Sequence, residues 1–196
     1  EPKITILEKE NGGVSSALNM GISVASGYFF QWLSHDDMLE RDSIEEKVKF
    51  IKKNNDKTIV CSRIKNIDSK GKKIFKLQKN AHNVKNISDL VSGGINGCSL
   101  LIPMQALKKH SFDENLVYMQ DYFVWASLIN DGFNFKLLKK KLTLTRRHKD
   151  QTSKKRADTF HNDYSKFFDE FILTIDNLKE SKKIEKVTLA EDIEFS

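Results

Sequence analysis

Ser34, His35, Asp36 and Asp37 follow one another at the end of the run YFFQWLSHDDML, residues 28–39. Two adjacent carboxylates with an imidazole beside them suit a divalent cation that itself holds phosphate oxygens, the way hard ions usually bind in phosphate-handling sites. The competing reading is an acidic strand-to-helix turn in which Asp36 or Asp37 caps the next helix. The spacing leaves both readings open.

The elements around these residues can position them. Tyr28, Phe29, Phe30, Trp32 and Leu33 read as an interior strand of a parallel sheet, with Gln31 the one polar exception. Open parallel sheets bind ligands beyond the carboxyl ends of their strands, where Ser34 to Asp37 would sit. Upstream, residues 3–8 (KITILE) predict a short strand, Asn11 to Gly13 a break, and residues 14–25 a helix capped by Ser15 or Ser16. That makes strand, helix, strand, the unit of a parallel sheet. Downstream, residues 39–53 predict a helix with an Ile44, Val48, Ile51 stripe and a Glu45–Lys49 pair. Residues 58–64 predict an interior strand, and residues 66–73 a turn or exposed hairpin with residues 74–77 as its return strand. Residues 84–91 predict a short helix, and residues 97–103 a buried strand. A helix is expected over 121–130, ended by Asp131-Gly132, and two strands over 133–138 and 142–145. A long helix over 158–183 carries Phe160, Tyr164, Phe167, Phe168 and Phe171 at three- and four-residue spacing. So much aromatic surface must cover either this domain or a second copy of the chain.

The 196 residues allow one domain with a real core. A composition of 39% apolar and 31% charged residues, with 13 Phe against 2 Pro, supports packed secondary structure over disorder. No apolar run is long enough for a membrane span. Cys61 and Cys98 lie in apolar surroundings without zinc or CxxC spacing, and are expected to be reduced core thiols of a cytoplasmic protein. The net charge of +6 is uneven, with ten Lys or Arg against one acid from Lys136 to Arg156. No zinc-finger, RNP-like or Gly-rich phosphate motif accompanies that patch, so no nucleic-acid partner is expected. Contact with a membrane face or an anionic ligand stays open.

Three ordered blocks resemble a known family. Asn11, Gly13, Ala17, Asn19 and Gly21, then Gly27 and Leu33 to Asp37, are similar to the middle of inverting nucleotide-sugar glycosyltransferases of the family 2 type. Gly93 to Ile102, Phe112-Asp113-Glu114 and Gln120-Asp121-Tyr122 with Trp125 resemble its acceptor-side blocks. Arg147-His148 with Gln151 and Ser153 resembles its closing block. The resemblance implies a GT-A-like, Rossmann-related fold: a mostly parallel sheet flanked by helices, incomplete at the N-terminus because the family's opening strand-helix-strand has no counterpart here. It places the transferase domain at residues 1–153 and a C-terminal helical extension at 154–196.

It also implies roles. A Mn2+ or Mg2+ ion would be held at Asp36, Asp37 and His148, and a UDP-sugar donor at Asn19, Ser34, Asp36, Arg147 and His148. Asp121 would be the base that inversion requires, although an aspartate capping a helix fits its position equally. Ser34 departs from the family's first Asp and Gln120 from its Glu. The function so implied is transfer of a hexose or N-acetylhexosamine to a polysaccharide or glycolipid acceptor, in the cytoplasm or at the inner face of the membrane, with the C-terminal helix able to form a homodimer. The alternatives are a non-catalytic glycosyltransferase-like fragment or binding subunit, and a metal-dependent nucleotidyltransferase.

Overall fold

The computed structural model describes residues 4–75, 82–148 and 157–172. Its centre is β3 (Thr58–Ile67), whose β-branched run is buried from Thr58 through Ser62. On one side β3 pairs in parallel with β6 (Asn134–Arg146), and on the other in antiparallel with β5 (Leu100–Pro103). β1 (Phe29–Phe30) adds to β5 and β2 (Met38–Leu39) adds to β6, both antiparallel, giving the order β1-β5-β3-β6-β2. β4 (Lys73–Ile74) returns against the end of β3, as the hairpin reading expects.

The sheet is α/β and mixed. Among the described strands only β3–β6 is parallel, so the expectation of mostly parallel pairing is corrected. The reason lies in two segments. Residues 4–8 form no strand, and Ile4 and Ile6 are 84% and 80% exposed. A strand exists through its ladder partners, and none is present for them among the described residues. The run from Tyr28 to Leu33 pairs only at Phe29 and Phe30 and lies at the sheet's edge, not in its interior, with Tyr28 90% exposed.

Helices cover both faces. Because side chains alternate along a strand, Ile59 and Cys61 of β3 point into one core and Val60 into another. The larger core gathers α3 (Ile87–Gly93), α4 (Met104–Leu107) and α5 (Gln120–Asn130), with the fully buried Trp125 at its centre against Phe112 and Phe135. The smaller core lies under α2 (Ser43–Lys52) through Val48 and Ile51. α1 (Gly13–Val24) starts at a glycine with φ +82°, a backbone setting that favours glycine. No side chain caps it: Ser15 and Ser16 are buried, and Ser16 Oγ instead accepts from Lys9 Nζ at 2.7 Å.

The two strands expected over 133–145 are one. β6 runs through the lysines between them, and its register against β3 shifts at Lys139, Lys140 and Leu142. α6 (Ala157–Phe167) continues as a π-helical turn over Phe168–Ile172. Phe167 and Phe171 lie edge-on to Phe123 at 5.3 and 5.6 Å, so this part of the aromatic face covers α5 of the same chain. Residues 173–183 of the expected long helix, and Gln151 and Ser153 of the closing block, lie outside the described residues.

Candidate functional site

β2 and β6 bring two distant motifs together. Met38 pairs with Leu144 and Leu39 with Thr143. In an antiparallel ladder the residues preceding Met38 then meet those following Leu144, which sets Asp36 and Asp37 against Arg146, Arg147 and His148. His148 Nε2 lies 3.0 Å from Asp36 Oδ2. The Arg146 amide donates to Asp37 Oδ1 at 3.0 Å, and Arg146 Nε donates to the Asp36 carbonyl at 3.0 Å. Its Nη1 reaches the carbonyls of Asp68 and Ser69, so the Arg146 guanidinium holds backbone. The Arg147 amide extends the core ladder to Ile67 O, and its Nε donates to Asn66 Oδ1 at 2.8 Å. Burial raises the Asp37 pKa and the charge of Asp36 adds to that, while the Arg146 amide, the Cys98 thiol and Arg147 oppose it.

Beneath this turn is a polar floor that the sequence did not reveal. Ser34 Oγ sits 3.3 Å from Cys98 Sγ. Gln31 Nε2 donates to the Cys98 carbonyl at 2.9 Å, and Lys47 Nζ donates to Gln31 Oε1 at 2.7 Å. Lys47 is fully buried, which brings its pKa down to about 8. Both cysteines are buried and free, and burial pushes the Cys98 thiol up to about 11. A Cβ added to Gly97 would lie 2.5 Å from the Trp32 ring. Gly97→Ala is therefore expected to displace Trp32, to change its fluorescence and to lower stability by about 1–3 kcal/mol in urea titration, as overpacking does.

Asp121 stands in the first turn of α5 with its Oδ1 accepting from the Tyr122 amide at 2.9 Å, and burial raises its pKa to about 7. Gln120 is buried, and its Oε1 meets no donor among the described residues. Tyr122 packs against the same core as Ile95. The segment from Ile95 to Ser99 thus borders both the core under α5 and the floor under Ser34.

Asn19 is placed apart from these groups. Its side chain donates to the Phe112 carbonyl and accepts from the Phe112 amide, both at 2.8 Å, tying α1 to the Phe112–Glu114 loop. A cleft of about 590 Å³ between α1 and α4, lined by Asn19, Ile22, Met104, Leu107 and His110 among others, shares no lining with Asp36, Asp121 or His148. This cleft is therefore separate from the residues brought together by β2 and β6.

Whether these residues suit a divalent cation depends on the donor set. Among the described residues no three His, Cys, Asp or Glu side chains converge as a cage. Asp36 and His148 do face one point, a hard carboxylate oxygen and an imidazole nitrogen, and that is a fit for an ion whose other ligands are phosphate oxygens and water. Asp37 is turned to the Arg146 amide.

Residues 1–116 match the model of glycosyl transferase family 2. An uncharacterized glycosyltransferase of Rickettsia bellii is 37% identical over 162 residues, covering 78% of this chain and 23% of that protein, so the chain spans about a quarter of the relative's length. The minor teichoic acid biosynthesis protein GgaB of Bacillus subtilis is 30% identical over 139 residues, covering 65% of this chain and 14% of that protein. Among solved structures, S. aureus TarS 1-349 in complex with UDP aligns with a TM-score of 0.56 at 15% identity, over 72% of this chain and 42% of that one. That likeness shows the fold, which is GT-A-like. With the family's model matching more than half of its length, on a fold of this kind, the chain belongs to glycosyl transferase family 2.

Proposed function

We propose that the chain carries the donor- and base-bearing part of an inverting, metal-dependent glycosyltransferase. It moves a hexose or N-acetylhexosamine from a UDP-linked donor to a polysaccharide or glycolipid acceptor. The observation that carries this reading is the Asp36–His148 pair at 3.0 Å, with Asp37 fixed beside it by the Arg146 amide. Asp36 and His148 hold the Mn2+ or Mg2+ ion, and Asp37 orients the turn. When bound, such an ion neutralises charge on the departing diphosphate. Arg147 offers the remainder of its guanidinium to the phosphates, and Ser34 a hydroxyl to the ribose. Asn19 serves by holding the Phe112–Glu114 loop.

Asp121 is the base. A pKa of about 7 leaves it part ionised at neutral pH and well matched to the transfer. It takes the proton of the acceptor hydroxyl as that oxygen bonds the anomeric carbon from the face opposite the diphosphate. The bond to the diphosphate breaks, and its electron pair leaves with the phosphate oxygen. The TarS complex with UDP and the teichoic acid protein favour a UDP donor and a surface-polymer acceptor. Such a reaction belongs in the cytoplasm, and a glycolipid acceptor would bring it to the inner membrane face, near the exposed Lys139 to Lys141.

A binding role without transfer is the second reading. It is favoured by Ser34, an uncharged residue whose hydroxyl faces the Cys98 thiol. Calorimetric titration of UDP into the chain, with and without Mn2+, tests both. Manganese-dependent heat is expected. No heat at millimolar UDP would reject donor binding by this chain, and heat without transfer to any saccharide acceptor would favour the second reading.

A further inference from the structure

Asp163 belongs to α6, outside every motif whose residue types point to chemistry, yet the residue is only 4% exposed. Its Oδ2 accepts from three successive backbone amides: Val117 at 2.9 Å, Tyr118 at 2.7 Å and Met119 at 3.3 Å. Consecutive N–H groups aimed at one point make an anion-binding concavity, and here the chain fills it with its own carboxylate. Those amides are the last before α5 begins at Gln120. Met119, the N-cap residue, makes no side-chain cap bond. The donors of this approach turn, which a local Ser or Asp usually satisfies, are met by a residue from a distant helix.

Four and eight positions beyond Asp163 stand Phe167 and Phe171, on the same helical face. Phe167 lies against Tyr122 and Phe123, and Phe171 against Phe123. One face of α6 therefore delivers a charge to the turn before α5 and two rings to the helix's first turn. Asp121 stands between these two grips.

We propose that Asp163 is a positioning residue: through the amides of residues 117–119 it fixes the approach to α5 and with it the direction of the Asp121 carboxylate. Its meaning for transfer rests on Asp121 being the base. Hydrogen bonds to an ionised acceptor are stronger than neutral ones, and buried amides left without one are strongly disfavoured. Loss of the carboxylate should thus loosen this turn selectively.

The test uses the isotope-labelled chain with Asp163→Ala, Asp163→Asn and, as a control at an exposed site on the same helix, Ser165→Ala. Two readouts apply: amide hydrogen exchange at 117–119, and the pH titration of the Asp121 side-chain carboxyl by carbon NMR. In Asp163→Ala, exchange at the three amides is expected to rise at least about tenfold while β3 keeps its protection. The Asp121 midpoint is expected to fall from near 7 toward the ordinary carboxylate range as its surroundings open. Asp163→Asn, which keeps an acceptor oxygen, should move both readouts the same way by less, and decides the matter should the Ala variant not fold. Ser165→Ala should move neither. Faster exchange with an unmoved Asp121 midpoint would reduce Asp163 to a clamp and overturn the proposal, as would no change in either. Neither readout involves transfer. Failure of the base assignment would show separately, as transfer surviving Asp121→Asn.

Discussion

Asp121→Asn is expected to cut transfer by orders of magnitude and, at pH 8, to raise the melting temperature by several degrees. Asp121 has a pKa of about 7 in the fold against an ordinary 3.8, with burial the dominant cause. Between those values the native chain keeps a proton that the unfolded chain has released. The contribution of this group to stability therefore falls as pH rises from about 4 to 7, and above 7 the buried charge is fully unfavourable. The penalty is on the order of 1–3 kcal/mol once the solvent reaching a part-exposed carboxylate is allowed for, equivalent to several degrees for a chain of this size. The Asn variant removes the penalty, so wild type and variant should melt alike near pH 4 and diverge above pH 7. Transfer should fall by about 10²–10⁴-fold, the usual contribution of a positioned base. The wild-type kcat/KM should rise with pH through about 7 as the carboxylate ionises. A variant that melts lower at pH 8, or that retains transfer, would contradict the assignment.

Asp36→Asn is expected to remove the manganese-dependent part of UDP binding, weakening it by about 100-fold or more, since even residues that only support a metal ligand are worth about 10–100-fold. The amide keeps the shape of the carboxylate and can still meet His148, so thermal stability should change little. Asp37→Asn gives the contrast. Its remaining oxygen can still accept from the Arg146 amide, and the loss of UDP affinity should be smaller. Calorimetry with and without Mn2+ measures both variants. Equal losses in the two would mean that Asp37 is a ligand on the same footing as Asp36.

The parts of the site legible in the sequence were those carried by local motifs. Asp36, Asp37 and His148 stood in two blocks separated by most of the chain, and the structure joins them because β2 and β6 pair. Lys47 was not foreseen. It falls on the face marked by Ile44, Val48 and Ile51, but its charge hid that position. Gln31, the odd polar residue in an apolar run, is its partner. Two polar exceptions, each unremarkable alone, explain each other once the chain is folded. Strand lengths were misread where partners decide them: the aromatic run at 28–33 makes two strand residues because little pairs with it. The lysines between the two expected strands belong to one strand whose register against β3 shifts there. Asp163 carried no local signal, because its partners are backbone amides far away in sequence.

β6 is at once the parallel neighbour of β3, the antiparallel neighbour of β2 and the support of Arg146 to His148. The Asp36–His148 half of the site therefore cannot come apart without breaking the ladder at the middle of the domain. Asp121 depends instead on a turn and on the helix lying over it. Cooperative units of a protein open at different free energies, and these two halves hang on different elements, a central ladder and a helix-held turn. Under the roles proposed above, a chain whose C-terminal helix has come away would keep the Asp36–His148 pair while Asp121 swings free, so donor binding and transfer would be separable.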